Sequence, residues 1–441
     1  MSKIFSLSGT SLFILATIYL ASIGYLGFYP IQSDFIGIII PYSICFCIYL
    51  LLVFKVDLIK HLTPLLCLAV LCRFILLFSF PNLSDDIYRF LWDANLVLDG
   101  QNPYLLLPDD IINSNTQDLY DKLNSPSYYS PYPPVAQIIY SISAFISGGD
   151  LNVFSGVIKL FTLLAELGSL YFMIRILETL HMQRSRVLIY ALNPLIIIEL
   201  MGNLHFESFM VFFMICSTYY LIRDGLIKSA FAFILAVASK LLPLMFTPFI
   251  IAYLGVKKSV KYLLITGATL LLLFIPIIVG VINGTFLSSV GLYFQKFEFN
   301  ASLYYLLREI GFLIYGWNII AILGPFLGLF TLGTICWVWY IRRHKINKEN
   351  IFLYLLFTIS LYLFTATTIH PWYVALPVAF CLFTDFRFPV IWSGLIFFTY
   401  FNYSHDTYYE SLLIVLIEYI IVYSIVFLEL KKFKTKKASL N

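Results

Sequence analysis

The sequence predicts an all-α, polytopic membrane protein, a transmembrane helix bundle with about 12–14 crossings. Of its 441 residues, 61% are hydrophobic and only 12% are charged, whereas a soluble domain carries about 25% charged residues. The mean hydropathy is +0.89, and the apolar residues fall in long runs, as expected for helices that each need about 20 apolar residues to cross a bilayer. These observations exclude a water-soluble globule and make the lipid bilayer the first partner that the sequence implies.

The apolar runs follow one another along most of the chain, and several are too short to cross a bilayer unaided. The run 135–147 is predicted not to cross but to lie at the outer interface, or to dip into the membrane and return. The stretch 229–255 is predicted to be a hairpin broken near Lys240 to Pro243. The predicted spans lie near residues 12–28, 35–54, 63–80, 153–179, 187–200, 208–222, 229–240, 241–255, 261–282, 318–341, 351–366, 371–384, 388–400 and 411–429.

Basic residues orient these runs, because cytoplasmic loops of membrane proteins carry an excess of Lys and Arg. With the N-terminus inside, the cytoplasmic breaks hold 20 of the 28 basic residues. Both termini are therefore predicted to be cytoplasmic, with one integral membrane domain over residues 1–430 and a basic cytoplasmic tail over 431–441. The net charge of +4 is too small to indicate nucleic acid as a partner.

Acidic residues concentrate on the opposite side. Fourteen of the 24 lie in the predicted extracytoplasmic segments, which are 81–152, 283–317 and the short breaks 201–207, 367–371 and 401–410, and Glu199 lies at the edge of one of them. Loops longer than about 15 residues without clear secondary structure usually carry function. Segment 81–152 is therefore predicted to be the outward catalytic loop, carrying interfacial helices, and 283–317 to be a second outward loop.

The first outward segment opens with an acidic pair, Asp85 and Asp86, in SDDIYRFLWD. If this stretch is helical, Asp86, Arg89 and Asp93 share one face. Adjacent, partly desolvated carboxylates repel each other, so one of them holds its proton more tightly, which suits a general base. Arg89 would then steady an anionic phosphate. The alternative is that the pair caps the helix start, where carboxylates stabilise the free N–H groups.

Aromatic residues and prolines follow in the same segment, at Asn102-Pro103-Tyr104 and around Tyr132 in YYSPYPP. Such a rigid, amphipathic loop at headgroup depth suits a groove for a sugar or a lipid. For any single tyrosine, the alternative is an anchor in the aromatic belt.

Ionisable side chains at membrane depth give further candidates, because they are costly in a bilayer. Asn203, His205 and Glu207 alternate with apolar residues where two short helices meet, so they are predicted to converge on one cavity. Lys240 lies in an apolar stretch, where a phosphate is a fitting partner and snorkelling to the interface is the alternative. The other embedded ions are predicted to pair within the bundle, and they are Arg73, Lys159, Glu166 and Arg175.

Two later outward motifs combine polar and aromatic residues. FEFNASLYY contains Asn300, Tyr304 and Tyr305, and IHPWY contains His370, Trp372 and Tyr373. Aromatic rings stack on sugar rings, and histidine can donate a hydrogen bond to phosphate. No HExxH pattern or second nearby histidine supports a zinc site, so the identity of any metal stays open. The sequence indicates no definite cofactor, and a divalent cation bridging carboxylates and phosphate is compatible with it.

Six motifs in order, from about residue 80 to residue 380, carry a family resemblance: SDDIYRFLWDANLVLDGQNPY, YYSPYPP, LNPLIIIELMGNLHFESFMVFF, SKLLPL, FEFNASLYYLLR and HPWYVALP. Together they resemble the bacterial polyprenyl-phosphate-mannose-dependent mannosyltransferases, which belong to the GT-C class of membrane glycosyltransferases. The resemblance implies a sugar donor linked to a polyprenyl phosphate and a catalytic acidic pair in the first outward loop, at Asp85 and Asp86. It also implies that Arg89, Trp92, Asp93, Asn102 and Tyr104 complete the block around that pair.

The residues and the resemblance lead to one functional hypothesis. The protein would move a sugar, mannose by resemblance, from a polyprenyl-phosphate donor to a hydroxyl of a glycan or glycolipid acceptor. The reaction would take place on the extracytoplasmic face of the bacterial inner membrane, with inversion and an Asp general base. Two alternatives stay open: a lipid-glycan flippase or transporter, and a glycan polymerase or ligase that uses a diphosphate-linked donor. Transporters often show inverted repeats with sites at the bilayer midplane, whereas this chain shows no repeat and gathers its polar residues at one face.

Overall fold

The chain folds almost entirely into helices in a computed structural model that describes residues 8–54, 58–286, 288, 291, 297–405 and 409–438. Within these residues, the only β contact outside helices is an isolated parallel bridge between Phe299 and Thr368. The first nine α-helices are α1 Gly9–Phe28, α2 Phe35–Phe54, α3 Leu58–Leu76, α4 Asp86–Leu98, α5 Pro108–Ile111, α6 Gln117–Tyr120, α7 Pro134–Ser147, α8 Leu151–Thr179 and α9 Leu188–Ala191. The remaining ones are α10 Glu207–Ile222, α11 Leu226–Ser239, α12 Thr247–Leu273, α13 Ile275–Ile282, α14 Leu303–Tyr315, α15 Ile320–Arg342, α16 Ile351–Thr365, α17 Ala375–Cys381, α18 Phe388–Leu395 and α19 Leu412–Ala438.

The prediction of a polytopic helical membrane protein is confirmed, with fewer long helices than predicted crossings. Five of the described helices are long and apolar enough to cross a membrane, and up to seven spans result if two bent helix pairs each count as one. Five further apolar helices have only 10–17 residues. Helix length therefore supports five to seven crossings instead of 12–14, because many of the apolar runs fold as short or broken helices.

The helix breaks lie where backbone chemistry predicts them. Helix α11 ends at Ser239, and Lys240 is extended (φ −155°, ψ 139°), so the predicted break near Lys240 to Pro243 is confirmed. Helix α12 is broken at Gly255, whose φ of 70° is a conformation that glycine adopts without a steric penalty. Between α9 and α10, residues Ile196–Gly202 form a π-helix, a rare geometry that is frequent at functional sites.

Segment 81–152 is not a structureless connection. Residues 86–147 contain the short helices α4 to α7. Helix α7 has 14 residues and packs against α4 and α8, so it is too short to cross a bilayer, which agrees with the prediction that this run does not cross. It begins at consecutive prolines, Pro133 and Pro134, and ends at Gly148 in the left-handed region.

Two of the four embedded ions, Arg73 and Glu166, pair inside the bundle as predicted, whereas Arg175 pairs with Glu178 at a partly exposed position on α8. Arg73 and Glu166 are completely buried, with Arg73 Nη2 2.9 Å from Glu166 Oε2. Tyr190 donates its hydroxyl to the other oxygen of Glu166 at 2.7 Å, and Arg73 also donates to the Ala191 carbonyl at 2.7 Å. Lys159 instead donates to the Leu76 carbonyl at 2.9 Å. These contacts fix α3 and α8 against the segment that leads into the π-helix.

Removing one partner of this buried pair should strongly destabilise the fold. Glu166→Ala leaves the Arg73 guanidinium buried without a counter-ion, and breaking such a pair costs about 3–5 kcal/mol. Thermal unfolding in detergent should show a clear loss of stability. The matched control is Glu178→Gln, because Glu178 pairs with the exposed Arg184 at 2.8 Å, and exposed pairs contribute only about 0–1 kcal/mol. Equal losses in the two variants would contradict this prediction.

Candidate functional site

The acidic pair stands at the start of α4. Asp85 is the residue before the first helical turn, and its side chain makes no hydrogen bond to the free N–H groups there. Asp86 is the first helical residue and accepts a hydrogen bond from Asn124 Nδ2 at 2.9 Å. The observed contacts therefore do not support helix capping as the role of Asp85, whose carboxylate is not bonded to any described residue.

Both carboxylates border a cavity of about 880 Å³. Its size lies within the range of about 300–1,000 Å³ that is usual for ligand pockets. The cavity is lined from several distant parts of the sequence: the start of α4, the turn before α10, the residue after α11, and the segments 297–299 and 368–373. Of the candidates from the sequence, it brings together Asp85, Asp86, Tyr132, His205, Lys240, His370, Trp372 and Tyr373.

Asp85 has the more unusual electrostatic environment of the pair. Partial burial, together with the negative charge of Asp86, raises the pKa of Asp85 above its ordinary value. A carboxylate with a raised pKa is a stronger base than an ordinary aspartate. The contacts and the pKa shift thus distinguish the two residues: Asp86 is fixed by Asn124, and Asp85 faces the cavity with a more basic carboxylate.

One wall of the cavity is a stack of aromatic rings. The rings of His205 and Trp372 lie 3.5 Å apart, those of Trp372 and His370 4.5 Å apart, and Phe299 lies 4.5 Å beyond His370. Burial and the nearby charges of His205 and Lys240 lower the pKa of His370 to about 3. His370 is therefore neutral at pH 7, so it would bind a substrate by hydrogen bonding and not by charge.

The cavity lining also contains buried polar atoms with free hydrogen-bonding capacity. The Nδ1 atom of His370 and the hydroxyl of Tyr140 have no hydrogen-bond partner among the described residues, and both residues line the cavity. Buried polar groups almost always have a partner in a native protein. Both atoms are thus available to a polar molecule in the cavity.

Lys240 forms an ion pair within the protein, whereas the sequence indicated a phosphate partner or snorkelling. Its Nζ lies 2.8 Å from Glu207 Oε1, and Glu207 is completely buried whereas about a quarter of the Lys240 side chain is exposed. The Tyr373 ring lies 5.6 Å from the ammonium group. Glu207 therefore holds Lys240 in place at the cavity wall and is itself covered.

A second, largely apolar groove of about 260 Å³ continues from the cavity. Five residues line both spaces: Pro131, Tyr132, Lys240, Thr368 and Tyr373. The groove then runs past Leu241, Leu242 and Phe286 to Gly324 and Gly328 on α15. Lys240 thus lies at the junction between a polar cavity and an apolar groove.

Three residues of the first motif lie outside the cavity lining. The Arg89 guanidinium is buried, with Nε 2.8 Å from Asp93 Oδ1, and it donates to the Ser125 carbonyl at 2.7 Å. Asp93 also accepts a hydrogen bond from Gln137 at 3.0 Å, and Trp92 is buried beside Tyr120. The prediction that Arg89 binds phosphate is not supported by this placement, because its hydrogen bonds hold the 125–137 segment against α4.

The next three candidates make structural contacts too. Asn102 donates to the Pro276 carbonyl at 3.0 Å, the Tyr104 hydroxyl donates to the Tyr132 carbonyl at 2.5 Å, and Asn203 donates to Glu199 at 3.2 Å. The Asn203, His205 and Glu207 trio therefore converges only in part, since His205 alone lines the cavity.

The FEFNASLYY candidates lie just behind the cavity wall. Asn300 has a positive φ of 47°, and its side chain donates to Glu418 at 3.2 Å. Tyr305 donates to Glu410, and Tyr304 donates to Glu298 at 2.6 Å. None of the three lines the cavity. Their hydrogen bonds instead hold segment 297–305 against its neighbours.

Sequence reasoning missed several lining residues. Asn124, Tyr128, Phe297, Glu298 and Asn318 all border the cavity. Tyr128, Phe297 and Glu298 belong to motifs that the sequence singled out, whereas no local pattern marks Asn124 or Asn318. As for a metal, no group of three or more His, Cys, Asp or Glu side chains in the described part of the chain is placed to hold one.

Residues 48–256 match the model of a protein family described as alpha-(1->6)-mannopyranosyltransferase, N-terminal domain. The matched range contains the acidic pair, His205 and Lys240, and it ends before the segments 297–299 and 368–373 that complete the cavity. Comparisons with curated proteins and with solved structures found no match.

Proposed function

We propose, on the premise that the family match of residues 48–256 supports a mannosyltransferase of the GT-C type, that the chain takes mannose from a polyprenyl phosphate and transfers it to a hydroxyl acceptor. The transfer takes place in the cavity at Asp85 and Asp86. The acceptor is a glycan or a glycolipid.

The observation that carries this proposal is the order of three environments around Lys240. A polyprenyl-phosphate sugar has a polar sugar, one anionic phosphate and an apolar chain, joined in that order. The protein has a polar cavity of about 880 Å³, a cation at its edge, and an apolar groove of about 260 Å³ beyond it. The sugar, the phosphate and the first isoprene units fit these environments in the same order.

Lys240 and His370 are the proposed phosphate ligands. Lys240 supplies positive charge near a low-dielectric wall, where electrostatic attraction is stronger than in water. The neutral His370 supplies a hydrogen-bond donor. Arg89 is not included, because it does not line the cavity and its buried guanidinium is bonded to Asp93 and the Ser125 carbonyl. Lys240 is also paired, with Glu207, but it lines the cavity. A divalent cation is not needed for this arrangement, because the leaving group is a single lipid phosphate.

Asp85 is the proposed general base. It removes the proton from the acceptor hydroxyl as the oxygen forms a bond to the anomeric carbon of mannose. The bond between that carbon and the phosphate oxygen breaks, and its electron pair stays on the lipid phosphate. A single displacement inverts the anomeric centre, so a β-linked donor would give the α linkage named in the family description.

The proposed working side is the extracytoplasmic face of a bacterial inner membrane, with both termini in the cytoplasm. The distribution of charge supports this orientation, since 20 of the 28 basic residues lie in the breaks assigned to the cytoplasm. The donor would then enter from the outer leaflet through the apolar groove.

The test supplies donors one at a time to the purified full-length protein in lipid nanodiscs. Radiolabelled mannose linked to polyprenyl phosphate should be transferred to an aryl α-mannoside, whereas GDP-mannose and a diphosphate-linked oligosaccharide should not be used. Use of the diphosphate donor alone would support a polymerase or ligase and overturn the proposal. Accumulation of labelled lipid glycan in the lumen of vesicles, without any covalent transfer, would indicate a flippase and overturn it as well.

A further inference from the structure

A separate part of the cavity wall lies outside the apolar groove. It is formed by Tyr128, Phe297, Glu298 and Asn318, which line the cavity but not the groove. The Tyr128 and Phe297 rings meet edge to face with centroids 5.8 Å apart. We call these four residues the distal wall. The donor as described above leaves this wall without an assigned role.

The distal wall adjoins the acidic pair through the chain. Asn124, which holds Asp86 at 2.9 Å, comes four residues before Tyr128. On its other side, backbone hydrogen bonds connect the wall to the segment that carries His370. Phe299 N donates to the Thr367 carbonyl at 3.1 Å, and Ile369 N donates to the Phe299 carbonyl at 2.8 Å. A molecule bound at the distal wall therefore lies within the same cavity as Asp85.

Glu298 is held rigidly but keeps bonding capacity. It accepts hydrogen bonds from the Tyr304 hydroxyl at 2.6 Å, from Arg308 at 2.5 Å and from the Asn318 amide. An ionised carboxylate offers about four acceptor positions, so about one remains for a ligand. Because Arg308 compensates the charge of Glu298, this wall does not attract a cation as an unpaired carboxylate would.

Asn318 is held in a similar way. Its oxygen accepts the Ile320 backbone N–H at 3.0 Å, and one of its two amide hydrogens is used by Glu298. Since a side-chain amide carries two donors, the second is available to the cavity that Asn318 lines. The distal wall thus offers one acceptor, one donor and two aromatic rings, a combination that suits the hydroxyls and the apolar face of a sugar.

We propose that the distal wall binds the acceptor, and that Glu298 and Asn318 hold an uncharged, hydroxyl-bearing sugar beside Asp85. This inference rests on the proposed function, because it concerns the second substrate of the same site. The cavity disfavours acidic sugars at this position, because Asp85 and Asp86 would repel a carboxylate, while Glu298 contributes less because Arg308 compensates its charge.

The experiment measures how the donor is partitioned between acceptor and water. Full-length protein in nanodiscs receives polyprenyl-phosphate mannose with an aryl α-mannoside or, separately, an aryl glucuronide as the acceptor. For Glu298→Gln and Asn318→Ala, the ratio of transfer to donor hydrolysis should fall by about tenfold or more with the α-mannoside, as expected from loss of a hydrogen bond to the substrate. For Glu298→Gln, the use of the glucuronide relative to the α-mannoside should rise.

The matched control is Glu309→Gln. Glu309 bonds the same Arg308 at 2.8 Å, but its side chain is about half exposed and does not line the cavity, so its partition ratio should equal that of the wild type. The inference is overturned if the Glu298 and Asn318 variants keep the wild-type ratio, if hydrolysis and transfer fall in parallel, or if Glu309→Gln has the same effect. Failure of the wild type to consume the donor would instead overturn the proposed function itself.

Discussion

Asp85→Asn is expected to lower mannose transfer by about 100- to 10,000-fold, the range that general-base catalysis contributes. The amide cannot accept a proton from the acceptor hydroxyl, while its size and shape preserve the cavity. Because the Asp85 side chain does not cap the first turn of α4, the variant should keep its thermal stability. Steady-state transfer assays and thermal unfolding in detergent measure the two effects separately.

Asp86→Asn is the comparison that separates the two carboxylates. The amide oxygen of the new side chain can still accept the hydrogen bond from Asn124, which is 2.9 Å long in the wild type. The loss of transfer should therefore be less than about tenfold, as expected when one hydrogen bond to a charged group is weakened. A larger loss in Asp86→Asn than in Asp85→Asn would assign the base to Asp86. If neither variant loses about tenfold, the acidic pair is not the catalytic base.

The pH profile gives an independent readout of the same assignment. The negative charge of Asp86 contributes to the raised pKa of Asp85, and the base is active only when ionised, so kcat/KM of the wild type should fall as the pH drops through the Asp85 pKa. In Asp86→Asn, that pKa decreases because the like charge is gone. The acidic limb of the profile should therefore move to lower pH, and an unmoved limb would contradict Asp85 as the base.

Gly328→Phe is expected to discriminate between donors of different chain length. Gly324 and Gly328 lie one turn apart on α15 and line the apolar groove, so a phenyl ring at 328 occupies space assigned to the isoprene units. Overpacking of this kind costs about 1–3 kcal/mol, which corresponds to about 5- to 150-fold in kcat/KM. This loss should appear with a full-length polyprenyl-phosphate mannose, and it should be much smaller with a donor of two isoprene units.

The control for this variant lies on the same helix. A Cβ added at Gly333 meets no atom within 4 Å, and Gly333 does not line the groove, so Gly333→Phe should leave both donors' kinetics close to those of the wild type. Gly328→Leu should give an intermediate effect. Equal losses with long and short donors in Gly328→Phe would show that the groove does not hold the donor chain.

Much of the fold and part of the site were predictable from local pattern. Apolar runs and their sparse charges predicted the helical bundle, and the predicted break near Lys240 to Pro243 is confirmed. The acidic pair, His205, Lys240 and the HPWY motif were predicted as site residues, and they line one cavity. These signals are visible in sequence because a charge or an imidazole in an apolar context is costly wherever the chain finally places it.

Other candidates were assigned differently by the tertiary structure. Arg89, Asp93 and Asn300 were predicted as site residues from the sequence, as Asp85 and Lys240 were. In the structure each of the three is bonded within the protein, and none lines the cavity. Conversely, Asn124 and Asn318 line it without any distinctive pattern. A hydrogen-bond partner such as Ser125 for Arg89 or Glu418 for Asn300 lies 36 or 118 residues away, and local periodicity carries no information on such pairs.

By itself, the sequence determined that this protein is a polytopic helical membrane protein with its carboxylates gathered in a few segments. Placing charge in a bilayer is costly, so charged residues are few in the apolar runs, and this distribution can be read from the sequence alone. Only the tertiary structure decided which polar side chains face the cavity and which satisfy one another. That choice depends on contacts between distant segments, which decide whether a polar side chain lines the cavity or is bonded away from it.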